Sequence, residues 1–131
     1  MQKTIFVVDD NDTNLTMAKN ALKDDYRVMT LPSAAKMFAL MEKVTPDLIL
    51  LDIDMPEVNG FEAMKRLKSS KLYSEIPVIF LSAMSDAADK AHGIELGAVD
   101  FITKPFSEQE LLNRVKNHIV DGPVRERPER L

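Results

Sequence analysis

Residues 48–60 of this 131-residue chain read LILLDIDMPEVNG, and they carry the clearest indication of the fold. Its first four residues form a short apolar run, and Asp52 ends that run where a loop of turn-forming residues begins. Short apolar runs separated by helical patterns are typical of buried parallel strands. The stretch therefore predicts a buried strand that brings a carboxylate to one end of a parallel sheet.

Other apolar runs of the chain also lead directly into polar side chains. The first run leads to Asp9 and Asp10, the run after residue 77 leads to Ser82, and the last leads to Lys104. In an open parallel sheet the carboxyl ends of the strands share one edge, where ligands bind. Three carboxylates, including Asp52, a hydroxyl and an ammonium are therefore expected to converge on one site. This set of groups suits a metal ion and a phosphoryl group.

Helical patterns lie between the apolar runs. The first covers about residues 13–22, and a second is expected to begin after an N-cap at Ser33 and to stop at Pro46. The fourth covers about residues 86–96 and has little large apolar surface. Ser107 and a glutamate three residues later form the capping box that opens the last helix.

The order of the elements predicts the architecture. Strand and helix alternate five times, so the chain is expected to form an α/β (βα)5 doubly wound parallel sheet with right-handed crossovers. The short strand at about residues 26–30 ends without a residue that suits a functional site. That absence fits a flavodoxin-like five-stranded sheet of order 2-1-3-4-5, in which the second strand lies at the edge.

The composition limits the class of protein. The chain is 45% hydrophobic and 29% charged, has no cysteine, and carries a net charge of −4. These values are ordinary for one globular domain, and no apolar run approaches a membrane span. The absence of cysteine excludes disulfide and thiolate chemistry, and the charge argues against nucleic-acid binding by this domain. Because Met1 leads straight into a strand without a signal-peptide pattern, we expect a cytoplasmic protein with no membrane partner.

The chain divides at about residue 121. Residues 1–121 contain all the expected strands and helices. Residues 122–131, GPVRERPERL, contain two prolines, mixed charges and few apolar groups. They are expected to form a flexible tail, and a linker toward a further module is the alternative.

The order of the polar motifs is similar to that of a known family. The chain resembles the response regulator receiver domain of two-component signalling, of the chemotaxis-receiver type, over roughly residues 1–120. Four motifs carry the resemblance: Val7-Val8-Asp9-Asp10, Leu51 to Pro56 with Gly60, Leu81-Ser82-Ala83, and Lys104-Pro105-Phe106. Each motif alone is weak, but all four in this order, each after a strand, make a strong signal.

The resemblance implies that Asp52 is the phospho-acceptor. Its carboxylate, an oxygen nucleophile, would attack a phosphohistidine or a small acyl phosphate. Mg²⁺ is the implied cofactor, because it prefers oxygen ligands and would relieve the repulsion among the acids. Asp10 is implied as a direct ligand and Asp9 mainly as a ligand through water. Asp52 itself and the backbone carbonyl of Asp54 would complete the protein ligands.

The resemblance also assigns roles to the remaining motif residues. Ser82 would hydrogen-bond a phosphoryl oxygen, although a helix cap is an alternative role. Lys104 would pair with Asp52 before the reaction and with the phosphoryl oxygens afterwards, and the bond from Lys104 to Pro105 is expected to be cis. Phe101 occupies the position of a switch aromatic, where tyrosine is common, and an ordinary core position is the alternative.

The implied partners follow from this switch. A sensor histidine kinase or a phosphorelay protein would supply the phosphoryl group. The switch would then change the surface formed by the fourth helix, the fifth strand and the fifth helix. That surface would bind a partner, a second copy of the domain or an attached effector.

Two positions are expected to set the lifetime of a phosphoaspartate. They are Asp54, two residues after the acceptor, and Met84, two residues after Ser82. Family members often carry a polar residue at the second position, where it orients the attacking water. Because methionine cannot do so, the sequence predicts a fairly long-lived phosphoryl group.

Two other functions are alternatives to the receiver. Asp52-Ile53-Asp54 resembles the DxD motif of haloacid dehalogenase-type phosphatases, although that motif follows the first strand of a larger protein. A pseudo-receiver would bind partners without phosphorylation, but the complete set of site residues argues against it. We therefore expect no enzyme activity beyond phosphorylation of the domain itself and its slow reversal. His92 and His118 are expected to be solvated surface residues.

Overall fold

One sheet of five parallel strands runs through the computed structural model, which describes residues 2–83 and 87–119. The strands are β1 (Thr4–Val8), β2 (Arg27–Leu31), β3 (Leu48–Asp52), β4 (Val78–Ser82) and β5 (Asp100–Thr103). They are ordered β2-β1-β3-β4-β5, and every neighbouring pair is parallel. This order confirms the flavodoxin-like sheet that the alternation of elements predicted.

Helices connect the strands. Within the described residues they are α1 (Asp12–Leu22), α2 (Ala34–Met41), α3 (Gly60–Lys68), α4 (Ala87–Glu95) and α5 (Glu108–His118). The predicted N-caps Ser33 and Ser107 accept hydrogen bonds from the amides of Lys36 and Glu110 at 3.2 and 3.0 Å. These bonds satisfy amide groups that have no partner inside the helix. In the described part of the chain, no helix has the length and apolar composition that a membrane crossing requires.

The second helix is shorter than predicted. It ends at Met41, whereas the sequence pattern placed its end at Pro46. Beyond Met41 the amides of Glu42 and Lys43 bond to carbonyls three residues back, which closes the helix with a tight turn. The Val44 amide still bonds to the Leu40 carbonyl at 2.9 Å, but proline disfavours the helical conformation of the residue before it, so the helix does not continue to Pro46.

The strands bury both faces of the sheet, as the continuous apolar runs predicted. Every residue of β1 and of β3 is buried. Ile5 and Leu48 belong to one core cluster with residues of α1 and α5, whereas Phe6 and Ile49 belong to a second cluster with residues of α2 and α3. Close packing on both faces fixes the ends of these strands, and with them the polar side chains that follow.

The fourth helix contributes least to the core. Gly93 is its buried residue, while Ile94 is 50% exposed. This confirms the prediction that the helix has little apolar surface to bury, and few buried contacts make a local rearrangement inexpensive. Met84 and the predicted tail 122–131 lie outside the described residues.

The histidines make contacts that the sequence analysis did not foresee. Nε2 of His118 lies 3.0 Å from a carboxylate oxygen of Asp100, and the His118 side chain is 27% exposed. The prediction that His118 is a solvated surface residue was therefore wrong, because the packing of α5 against β5 brings the two together. His92 is exposed, but its ring centroid lies 4.6 Å from that of Phe61.

Candidate functional site

Four strand ends bring their polar residues to one edge of the sheet. Asp9 directly follows β1, Asp52 ends β3, Ser82 ends β4, and Lys104 directly follows β5. The four strands lie side by side in the order β1-β3-β4-β5. The predicted convergence of these side chains is therefore present.

Lys104 is the centre of an ion-pair network. Its ammonium nitrogen lies 2.9 Å from Oδ1 of Asp52 and 3.0 Å from Oδ2 of Asp9. The backbone amide of Lys104 donates to the carbonyl of Ser82 at 2.7 Å, which extends the pairing of β5 with β4. The Lys104–Pro105 peptide bond is cis, the isomer that the resemblance implied. The contact with Asp52 was predicted, whereas the contact with Asp9 was not.

The environment of Asp52 changes its acidity. Burial raises the pKa of the Asp52 carboxyl to about 6, with the hydrogen bond from Lys104 opposing the rise and the charge of Asp9 adding to it. Burial works to lower the pKa of Lys104, but the hydrogen bonds and charges of the two carboxylates outweigh burial and raise it. Lys104 therefore stays protonated. The Asp52 carboxyl, in contrast, titrates closer to neutral pH than an exposed aspartate does.

Three carboxylates form a set of oxygens that suits a hard cation. Asp9, Asp10 and Asp52 each offer an oxygen atom, and these atoms lie within 4.8 Å of one another. Oδ2 of Asp52 is buried and accepts no hydrogen bond from the described residues. Oδ2 of Asp9 is also buried, and its partner among the described residues is the Lys104 ammonium at 3.0 Å. Buried oxygens that still lack a full set of partners fit Mg²⁺, which takes oxygen ligands and retains waters.

The two adjacent acids after β1 have different environments. Asp9 is completely buried, and its Oδ1 accepts a hydrogen bond from the Asn11 amide at 2.9 Å. Asn11 in turn caps α1, since its side chain accepts from the Asn14 amide at 3.0 Å. Asp10 is exposed. Asp9 is therefore held in place by the start of α1, while Asp10 is open to solvent and to a ligand.

Asp54 contacts both Asp52 and Ser82 in the site. Its backbone amide donates to Oδ1 of Asp52 at 3.2 Å, and its carboxylate accepts a hydrogen bond from the Ser82 hydroxyl at 3.1 Å. The place of Asp54 in the site was predicted from the sequence, but its contact with Ser82 was not. The available signal was a carboxylate two residues after one strand end and a hydroxyl at the end of the next strand in the sheet.

Gly60 lies directly behind Asp52. Its amide donates to the carbonyl of Ile53 at 3.0 Å, and a Cβ at this position would lie 2.5 Å from the carbonyl oxygen of Asp52. A side chain at this position would push against the backbone of Asp52 and Ile53. The side chain of Asn59 caps α3 beside it by accepting from the Glu62 amide at 2.9 Å. The glycine in the predicted motif is therefore required by close backbone packing.

Phe101 belongs to a group of rings beneath the site, which we call the aromatic cluster (Phe61, Phe80 and Phe101). Its side chain is buried, and the ring centroids of Phe80 and Phe101 lie 6.4 Å apart. The centroids of Phe61 and Phe80 lie 5.4 Å apart in an edge-to-face arrangement. Gly93 of α4 lies against this cluster, since a Cβ there would approach the Phe80 ring to 2.9 Å. The cluster thus connects β4 and β5 with α3 and α4.

Comparison with known proteins gives a consistent result. A family model described as "Response regulator receiver domain" matches residues 5–116. The chain is 39% identical over 117 residues to the alkaline phosphatase synthesis transcriptional regulatory protein PhoP of Bacillus subtilis, covering 88% of this chain and 48% of PhoP. The chain spans half or less of the length of the curated relatives considered.

Solved structures have the same fold. The chemotaxis response regulator CheY4 of Vibrio cholerae matches with a TM-score of 0.84 and 27% identity, over 89% of this chain and 98% of CheY4. The BeF3-activated receiver domain of DrrB, a protein of Thermotoga maritima, matches with a TM-score of 0.81 and 32% identity, over 89% of this chain and 97% of that domain.

Proposed function

The chain belongs to the response regulator receiver domain family of two-component systems, and we propose that Asp52 accepts a phosphoryl group from a histidine kinase or a phosphorelay protein. The observation that carries the proposal is the state of the two Asp52 oxygens. Oδ1 is held by Lys104 and by the Asp54 amide, whereas buried Oδ2 accepts no hydrogen bond from the described residues. The carboxylate is thus fixed by one oxygen and has the other available for bond formation.

The proposed reaction is a displacement at phosphorus. An Asp52 oxygen forms the new bond to phosphorus, the phosphorus–nitrogen bond of the phosphohistidine breaks, and the departing imidazole keeps the electron pair and takes a proton from water. Lys104, already 2.9 Å from the Asp52 carboxylate, is positioned to contact the phosphoryl oxygens after transfer. Ser82 would then donate its hydroxyl hydrogen to a phosphoryl oxygen.

Mg²⁺ is the proposed cofactor. When bound, it supplies positive charge that offsets the repulsion between the acids and the phosphoryl group. Asp10 would bind it directly and Asp9 through water, with Asp52 and the backbone carbonyl of Asp54 as the other protein ligands. The three carboxylates within 4.8 Å of one another support this assignment.

The output of the proposed switch is the surface formed by α4, β5 and α5. Phosphorylation adds a charge of about −1.5 to −2 to the site, and Ser82 and Phe101 would transmit the change to α4, whose packing is weak. Ile94 and Val99 lie at this surface with 50% and 41% of their areas exposed. Exposed apolar side chains of this kind suit a protein partner, a second copy of the domain or an attached effector.

The proposal also covers the lifetime of the phosphoaspartate, the extent of the domain and the place where it acts. Asp54 and Met84 set the lifetime of the phosphoaspartate, with Met84 unable to orient an attacking water. Residues 1–121 form the receiver domain, which acts in the cytoplasm and turns over no external substrate. Replacing Met84 by Asn is expected to shorten the lifetime, as followed by the decay of the phosphorylated mass. An unchanged decay rate would remove Met84 from this role.

Intact mass spectrometry tests the proposal. Wild-type protein, Asp52→Asn and Asp24→Asn are incubated with acetyl phosphate and Mg²⁺, with EDTA as the metal-free control. Asp24 is exposed on the loop after α1 and serves as a matched change outside the site. Wild type and Asp24→Asn are expected to gain one phosphoryl group, and Asp52→Asn none. If all three gained a phosphoryl group, Asp52 would not be the acceptor.

A phosphatase is disfavoured by the position of Asp54. In a phosphatase the general acid would need to face the leaving group of a phosphoryl group on Asp52. The Asp54 carboxylate instead accepts a hydrogen bond from the Ser82 hydroxyl. Release of phosphate from a phosphomonoester would distinguish the two functions. No release is expected from the receiver.

A further inference from the structure

The Ser82 hydroxyl is bound to a carboxylate other than the acceptor. Ser82 Oγ donates to Oδ2 of Asp54 at 3.1 Å. We propose that Asp54 is a positioning residue that holds the Ser82 hydroxyl in the unphosphorylated state, and that activation requires Ser82 to exchange this carboxylate for the phosphoryl group. The inference rests on the proposed function and names the regulation of the same site.

The chemistry of the two partners suits a reversible latch. Ser82 is fully buried, so its hydroxyl gains from an acceptor inside the protein, and an ionised acceptor forms a stronger hydrogen bond than a neutral one. Asp54 is exposed, so water can satisfy its carboxylate when Ser82 leaves. Release therefore leaves no buried unsatisfied charge, and the phosphoryl oxygens supply Ser82 with a new charged acceptor.

The buried position of Phe101 supports control of the switch by the hydrogen bond between Ser82 and Asp54. Phe101 is 8% exposed and packed against Phe80 while Ser82 is still bound to Asp54. Phenylalanine has no hydroxyl to keep in contact with water, so its burial is favourable without phosphorylation. Because the Phe101 side chain is already buried, activation does not require it to turn inward, and we place the change at Ser82.

Asp54 acts on a bound phosphoryl group in a second way. Its negative charge lies beside the acceptor, where it would repel a phosphoryl group whatever Ser82 does. A single substitution of Asp54 would therefore mix the loss of repulsion with the loss of the latch. The two effects separate in a double-mutant cycle with Ser82, since only the latch requires the hydroxyl.

The experiment measures the affinity for beryllofluoride, an analogue of the phosphoryl group, with Mg²⁺ in saturating amount. The proteins are wild type, Asp54→Ala, Ser82→Ala and the double variant, with Asp54→Asn to keep an acceptor oxygen while removing the charge. The Asp54 amide that holds Asp52 is retained in every variant. Asp54→Ala is expected to improve the affinity of wild type by about fivefold more than it improves that of Ser82→Ala.

Each outcome has a meaning. The latch is supported if Asp54→Ala improves the affinity for beryllofluoride more when Ser82 is present than in Ser82→Ala, and if the affinity of Asp54→Asn lies between those of wild type and Asp54→Ala. Equal effects of Asp54→Ala in both backgrounds would overturn it and leave charge repulsion alone. If wild type bound no beryllofluoride and accepted no phosphoryl group, the proposed function would fail.

A measurement without any ligand tests the latch separately. The latch predicts one Ser82 χ1 rotamer in unliganded wild type and rotamer averaging in unliganded Asp54→Ala, read from NMR couplings of the Ser82 β protons. A single, unchanged rotamer in both proteins would contradict the latch even if the receiver function held.

Discussion

The ammonium of Lys104 lies 2.9 Å from the carboxylate of Asp52, although the two residues are 52 positions apart in the sequence. The contact links the end of β3 to the end of β5 and supplies positive charge to two buried carboxylates, the second being that of Asp9 at 3.0 Å. Without such a partner, a buried ionised acid is strongly unfavourable. Lys104 therefore also stabilises the fold, since its ammonium compensates the two buried acids at the ends of β1 and β3.

Lys104→Met is expected to destabilise the protein at neutral pH. The substitution keeps an unbranched side chain, one atom shorter, but leaves two buried carboxylates without their cation. The expected loss is about 3 kcal/mol, at the lower end for breaking a buried ion pair because 15% of the Lys104 side chain is exposed. Urea unfolding measures it, with Lys71→Met, an exposed lysine, as control. Mg²⁺ should restore part of the loss, and equal stability of the two variants would contradict the role of Lys104.

The acidity of Asp52 gives a prediction for the metal-free protein. With its pKa raised to about 6, the carboxyl should titrate near that pH and not near its ordinary value of 3.8. Because the folded state disfavours the ionised form, the contribution of Asp52 to folding stability falls as pH rises from about 4 to about 6. Carbon NMR of the side-chain carboxyl in EDTA measures the titration. A midpoint at the ordinary aspartate value would show that burial does not control this group.

Gly60→Ala is expected to damage the site without changing a polar group. The new methyl would lie 2.5 Å from the Asp52 carbonyl oxygen, so the backbone of Asp52 must move. The expected cost is about 2 kcal/mol of stability, together with slower phosphorylation by acetyl phosphate. Urea unfolding and intact mass measure the two effects. Normal stability with normal phosphorylation would show that the loop tolerates a side chain at this position.

The contribution of Asp100 to folding stability is expected to depend on pH with the opposite sign to that of Asp52. Burial works to raise the pKa of Asp100, but hydrogen bonds from the Phe101 amide and His118, together with Arg114, outweigh burial and lower it. A depressed pKa means that its stabilising contribution is present above the ordinary value near 3.8 and is lost as pH falls through the lower folded value. The stability difference between wild type and Asp100→Asn should therefore shrink as the solution is acidified below about pH 4. A difference independent of pH would contradict the ionic role of Asp100.

The sheet could be predicted because short local stretches of the sequence specify its strands. The apolar run before Asp52 has the length and composition of a buried strand, and its alternation with helical patterns leaves few possible topologies. Placement of Asp9, Ser82 and Lys104 at the same edge then follows from the parallel order of strands. No side-chain geometry was needed for this step.

The missed features depend on packing between distant segments. The contacts of Ser82 with Asp54 and of Asp9 with Lys104 are set by side-chain directions at the ends of neighbouring strands, which periodicity does not encode. The pairing of His118 with Asp100 likewise depends on how α5 lies across β5. The early end of α2 depends on competition between a helical pattern and local turn geometry, where boundaries are least well specified.

Asp52 is the residue proposed to accept the phosphoryl group. The most direct measurement is treatment of the acetyl phosphate-reacted protein with borohydride, which reduces an acyl phosphate to the alcohol, followed by tandem mass spectrometry of the peptides. Homoserine is expected at position 52 and at no other aspartate of the site. Homoserine at position 9, 10 or 54, with position 52 unmodified, would contradict it.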